Sequence, residues 1–82
     1  MEGIVKLVNE DTGFFVVETD NGFSVFETAD LADIEQGDVI VGHLDSTACE
    51  RVMNDSKQEV LDVYVRDIVT SLAAAEALLS GE

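Results

Sequence analysis

The chain has 82 residues, of which 18 are Asp or Glu and four are Lys or Arg, giving a formal net charge of −14 at pH 7. That length suits one small domain on a single hydrophobic core, and 46% hydrophobic residues is too many for a disordered chain. No apolar run reaches the length of a membrane-spanning helix, Met1-Glu2-Gly3 does not open a secretion signal, and the single cysteine, Cys49, forms no disulfide within the chain, so a cytoplasmic protein is expected.

Gly3-Ile4-Val5-Lys6-Leu7-Val8 is rich in β-branched residues and predicts a first strand, ended by the polar loop Asn9-Glu10-Asp11-Thr12-Gly13. Phe14 to Thr19 predicts a second strand. Asp20-Asn21-Gly22 carries Asn-Gly, a strong hairpin signal, and Phe23 to Glu27 returns as a third strand. These three segments form a β-meander. Ala29 to Ile34 fits either a single helical turn or an irregular loop. Gly37-Asp38 turns into a fourth strand, Val39 to Leu44, with Gly42 marking a bend. Arg51-Val52-Met53 reads as a short extended piece within an ambiguous stretch. Leu61 to Arg66 alternates, with Leu61, Val63 and Val65 inward.

After Arg66 the apolar period changes. Ile68, Leu72, Ala75 and Leu79 share one helical stripe, with Asp67, Thr70 or Ser71 as the cap and Gly81 as the stop. A helix this short needs a docking partner. The expected place is an open end of the barrel; the sheet face and self-association are the alternatives. The expected fold is therefore all-β: a five-stranded antiparallel OB-like barrel over residues 1–66, with a C-terminal α-helix over 67–82 packed on the same domain.

The N-terminal half resembles a cold-shock domain, a member of the OB-fold class. The resemblance rests on Gly3 to Asn9, then Thr12-Gly13-Phe14-Phe15-Val16-Val17, Asp20-Asn21-Gly22 and Val25-Phe26, with Gly37-Asp38-Val39-Ile40 fitting a later strand. It covers the chain without gaps to Phe26 and loosely to about Val41. In that family, aromatic motifs on adjacent strands stack single-stranded bases. The resemblance places Lys6, Asn9, Phe14 and Phe26 at nucleic-acid-binding positions, and Gly13 also matches. The family's first-strand tryptophan and phenylalanine fall at Leu7 and Val8, its lysine at Thr12, and the second aromatic of Gly-Phe-Gly-Phe at Val16. The Val-Phe-Val-His-Phe motif reads Val25-Phe26-Glu27-Thr28-Ala29. Stacking contributes roughly 1–3 kcal/mol per base, so most of the binding surface is lost with these residues. The family's parity and the alternation from Val25 both put Glu27 inward. A buried carboxylate without partners is costly, so Glu27 is expected at the rim or at the strand end.

Charge points the same way. Lys6, Arg51, Lys57 and Arg66 offer little to phosphates or anionic lipids. Asp11-Thr12-Gly13 spells the aspartic-protease triplet, but Asn9-Glu10 precedes it and a turn is the expected reading. His43 and Cys49 are too few for a zinc site; His43 is expected on a strand surface or rim, and Cys49 as a small buried hydrophobe. Neither Asp30 to Glu35 nor Asp45 to Glu50 has a calcium-loop pattern. No metal or other cofactor is expected.

Phe14, Val16 and Phe26, with Phe23, are read as sharing the outer face of the meander. Burial under the C-terminal helix, contact with a protein, and a remnant nucleic-acid platform are the readings of that face, in that order. The function expected is a non-enzymatic, acidic, OB-like interaction module that binds a protein through its acidic surface or an apolar face, a basic protein being one candidate partner. Protein-contact candidates are Phe14, Val16 and Phe26. The alternative is a weak, divergent cold-shock-like binder of single-stranded nucleic acid through Lys6, Asn9, Phe14 and Phe26. A monomer is expected, with a homodimer through the C-terminal helix as the other arrangement.

Overall fold

The computed structural model describes residues 1–28, 34–44 and 49–79. Strands β1 (Glu2–Asn9), β2 (Phe14–Thr19), β3 (Gly22–Glu27), β4 (Val39–Val41), β5 (Cys49–Asn54) and β6 (Glu59–Val69) precede one helix, α1 (Leu72–Leu79). The strands pair antiparallel in the order β1-β2-β3-β6-β5-β4, and β4 returns to β1 to close the barrel. Among the described residues, every strand therefore has a paired neighbour on both sides. The architecture is the expected mainly-β barrel with a C-terminal helix, compatible with an OB-like fold, but it has six strands rather than five. The additional strand is β5. Its sequence, Cys-Glu-Arg-Val-Met-Asn, buries only Val52 and Asn54 and has no β-branched run to announce it.

Cross-strand pairs decide which side chains face inward. Phe15 pairs with Phe26 and Val17 with Ser24, and all four are buried. The two phenylalanine rings meet at 5.2 Å between centroids, within the range for favourable tilted ring pairs. They join Val5, Ile34, Ile40, Leu44, Val52, Val63 and Val65 to fill the barrel. The alternate pairs Phe14–Glu27, Val16–Val25 and Glu18–Phe23 face outward. Phe26, expected outside, is therefore an interior residue with 0% exposure. Glu27, assigned inward by parity, is on the outer face, where its carboxylate meets Arg66 at 3.5 Å.

Two bulges set these parities. Val5 pairs with Val17 but Leu7 with Val16, so Lys6 is the extra residue in β1. Val5 and Val8 both pack with the barrel interior as a result, while Leu7 turns outward. On the other side Val25 pairs with Asp67 and Phe26 with Val65, leaving Arg66 as the extra residue in β6. Beyond it the strand continues three residues past the expected end. Leu61, Val63 and Val65 point inward as expected, and Ile68 does so too, as a strand residue rather than the first position of a helical stripe.

The β2–β3 hairpin closes on Thr19–Gly22, with Asp20 and Asn21 as its two loop residues. Gly22 is thus the first residue of β3 rather than part of the turn. Its φ of 126° and the carbonyl of Val69, 2.5 Å from where a Cβ would stand, leave room for glycine alone.

The helix does not plug a barrel end. It lies on the outer face of the β1–β2–β3 meander, against β1, β2, β3 and the end of β6. Ala75 and Leu79 are buried there on Val16 and Val25, with Leu7, Phe14, Phe23, Val69 and Leu78 around them. The Ser71 hydroxyl caps the start, accepting a 3.2 Å hydrogen bond from the Ala74 amide. The expected stop, Gly81, and the Ala29 to Ile34 segment up to residue 33 lie outside the described residues. Among the described residues, no helix is long and apolar enough to cross a membrane.

Candidate interaction surfaces

The outer face of β1–β2–β3 carries the positions that the cold-shock resemblance assigns to bases. Each is engaged within the chain. Phe26 is in the barrel core. Val16 is fully buried beneath α1, and Phe14 is half-buried at the margin of the same cluster. The Asn9 amide donates to the Leu79 carbonyl at 2.8 Å, and its oxygen accepts from the Asp11 amide at 3.0 Å. Lys6 stands 3.4 Å from Glu18. The structure brings Phe14 and Val16 together on one face, separates Phe26 from them, and places the helix over that face.

At one end of the barrel, Phe14, Glu27, Tyr64 and Cys49 form a single row across β2, β3, β6 and β5. Arg66, released from the pairing pattern by its bulge, lies 5.8 Å from the Phe14 ring centroid and 5.5 Å from that of Tyr64. These distances allow attraction between the guanidinium and both ring faces. An open cleft of about 910 Å³ adjoins this row, lined among others by Glu10, Asp11, Glu50, Arg51 and Asp62. Arg51 is held by Asp62 at 3.0 Å. Five of the twelve residues lining the cleft are acidic and one is basic, which suits cations and disfavours phosphates.

The residues weighed for catalysis or metal binding lie in turns and at strand ends. Asp11 and Thr12 lie in the exposed β1–β2 turn, closed by a 3.1 Å hydrogen bond from the Gly13 amide to the Asn9 carbonyl. Cys49 is exposed at the start of β5, not buried as expected, because its cross-strand partner is the outward-facing Tyr64. His43 is exposed past the end of β4, where it faces Glu50 at 3.6 Å. Among the described residues, no group of three or more His, Cys, Asp or Glu side chains is arranged to hold a metal ion. The two segments weighed as calcium loops fall largely on residues 29–33 and 45–48, outside the described residues.

The outer face of the second meander, β4–β5–β6, was not singled out in the sequence. Val41 pairs with Met53, and Met53 with Val60, so the three form a row across adjacent strands. Their exposures are 36%, 40% and 59%. The usable signal is parity: in each strand these residues alternate with inward-facing Ile40, Val52 and Leu61. It is legible only once β5 is recognised as a strand. No protein-family model matches the chain, and neither the curated proteins nor the solved structures yield a match.

Proposed function

We propose that this chain is a non-enzymatic interaction module that binds a basic protein. The observation carrying the reading is the position of α1. The face that would stack bases in a cold-shock domain is filled by the chain's own helix, through Ala75 and Leu79 on Val16 and Val25. The chain as a whole is acidic, with 18 carboxylates against four cations. Each of those cations already stands beside a carboxylate: Lys6 by Glu18, Arg51 by Asp62, Lys57 by Glu35 and Arg66 by Glu27. Nucleic-acid binding draws its affinity from cations that displace counterions at phosphates, and here those cations are engaged. A basic protein meets the opposite situation, since complementary charge speeds encounter and fixes orientation.

The test is an anisotropy titration of labelled oligo-dT, oligo-U and a lysine-rich polypeptide with the intact protein, first at low salt and then at about 0.15 M, where charges are screened beyond ~8 Å. The expected result is binding of the polypeptide that weakens with salt, and no binding of either oligonucleotide. Micromolar binding of an oligonucleotide that is lost in Phe14→Ala would overturn the reading in favour of a reduced cold-shock role.

A further inference from the structure

The barrel has two outer sheet faces, and they are treated differently. The β1–β2–β3 face is covered by α1. The β4–β5–β6 face exposes Val41, Met53 and Val60 as one cross-strand row, with Ile4 and Val39 paired alongside on β1 and β4. Carboxylates border this row. Glu2 is the next residue along it, opposite Val41, and Asp62 lies two positions beyond Val60 on the same face. The cation on this face, Arg51, is already paired with Asp62.

Building on the protein-binding reading above, we infer that the Val41–Met53–Val60 face is the docking surface, and that its occupant is a basic amphipathic helix of a partner protein. Three features select that occupant. Each described strand already has a hydrogen-bonded neighbour on both sides, so a partner engages side chains rather than the backbone ladder. Three adjacent strands about 4.8 Å apart make the row ~10 Å long. Residues i and i+7 of a helix are about 10.5 Å apart, so two turns lay an apolar stripe along the row. The bordering carboxylates then meet Lys or Arg on the flanks of that stripe. A second copy of this chain fits poorly, because it would bring another net charge of −14 to the same acidic border.

The experiment is a titration of the ¹⁵N-labelled protein, at about 0.15 M salt, with two synthetic peptides. One is a 14-residue amphipathic Leu/Lys helix; the other has every Leu replaced by Ser at equal charge. The expected result is at least tenfold tighter binding of the Leu/Lys peptide, with amide shifts centred on Val41, Met53 and Val60. Met53→Asp and Val60→Asp add negative charge, so binding by charge alone would strengthen, whereas docking on the apolar row weakens at least tenfold. Leu72→Ser, which removes an exposed apolar side chain on α1, leaves affinity unchanged.

Equal affinity for the two peptides, or shifts centred on Glu10, Asp11 and Glu50 of the cleft at the barrel end, would overturn the site assignment while leaving the protein-binding reading standing. Absence of binding by either peptide would remove both. Sedimentation showing a dimer that Val60→Asp dissociates would assign the face to a second copy and overturn the basic-helix occupant.

Discussion

Asn9, at the end of the first strand, holds the last described residue of the helix: its side-chain amide donates a 2.8 Å hydrogen bond to the Leu79 carbonyl, 70 positions away in sequence. That carbonyl is one of the four at a helix C-terminus with no partner inside the helix. The same side chain accepts from Asp11 and so shapes the β1–β2 turn. One residue therefore couples the turn of the barrel to the docking of α1, on the face where the cold-shock resemblance would have it contact nucleic acid.

Replacing Asn9 with Ala removes both bonds, one partly buried and one exposed, and is expected to destabilise the fold by about 1–2 kcal/mol. Asn9→Asp keeps the acceptor for the Asp11 amide but loses the donor, and sets a negative charge at the negative end of the helix dipole. It should loosen α1 at least as much as Ala does. Amide exchange of Ala75 to Leu79 reads this directly: faster exchange confined to α1 is expected in both variants. Unchanged exchange in both would mean that the apolar contacts of Ala75 and Leu79 hold the helix without the tether.

The inward and outward phenylalanines predict unequal costs. Phe26 is fully buried against Phe15, so Phe26→Ala should cost ~3–5 kcal/mol and leave a domain of this size largely unfolded. Phe14 is half-buried at the helix margin, and Phe14→Ala should cost clearly less, about 1–2 kcal/mol on the area removed from water. Urea denaturation of the two variants ranks them. A Phe14 variant as damaged as the Phe26 variant would contradict the assignment of faces.

The same two residues show how far the sequence could be read. Strand existence was legible for β1, β2, β3, β4 and β6, where β-branched and aromatic residues cluster, and so was the helix from its alanine-rich stripe. Facing was legible in part: Phe14 and Val16 outward and Leu61, Val63 and Val65 inward agree with the structure, whereas Phe26 does not, because facing depends on register and both bulges fall at residues that carry no bulge signal. Arg66 ends an alternating run and is followed by Asp67, which looks like a strand end; the bulge instead lets β6 run on to Val69. The place of α1 was half legible: a barrel end was expected for the helix, yet burial of Phe14 and Val16 beneath it was the first reading of that face. An apolar stripe states that a helix must dock, but the outer apolar surface that receives it exists only after Phe14, Val16, Phe23 and Val25 are paired across β2 and β3.

Beneath the barrel wall, Asp38 and Asn54 form a buried polar pair. The Asn54 amide donates to Asp38 Oδ2 at 2.9 Å, the Glu35 amide donates to the same oxygen at 3.1 Å, and Lys57 stands 3.8 Å from Oδ1. Asn54 in turn accepts from the Lys57 amide at 3.2 Å, so the pair joins the segment before β4 to the β5–β6 turn. Asp38→Ala removes the acceptor of a buried amide and should cost about 1–3 kcal/mol. Asp38→Asn keeps an oxygen in place and should recover part of that loss. Thermal melts of the two variants test it; an alanine variant as stable as the parent chain would show that this pair is not needed to close β4 onto β5.

Charge sets the last expectation, and its sign follows from two opposing effects of salt. The ion pairs of Lys6, Arg51 and Arg66 are substantially exposed, and pairs of that kind contribute roughly 0–1 kcal/mol each, which salt weakens. Against them stands the mutual repulsion of a net −14 spread over a barrel with a Cα radius of gyration of 10.9 Å. At low salt the Debye length exceeds that radius, ~30 Å at 0.01 M, so the carboxylates repel across the whole molecule; at 1 M it falls to ~3 Å and the repulsion is confined to neighbours. Four cations cannot offset eighteen acids, so screening of repulsion outweighs screening of the pairs. The melting temperature should therefore rise steadily with sodium chloride between those limits. Calorimetric scans decide it. A melting temperature that stays flat or falls would mean that local pairing, rather than the net charge, governs the electrostatics of this barrel.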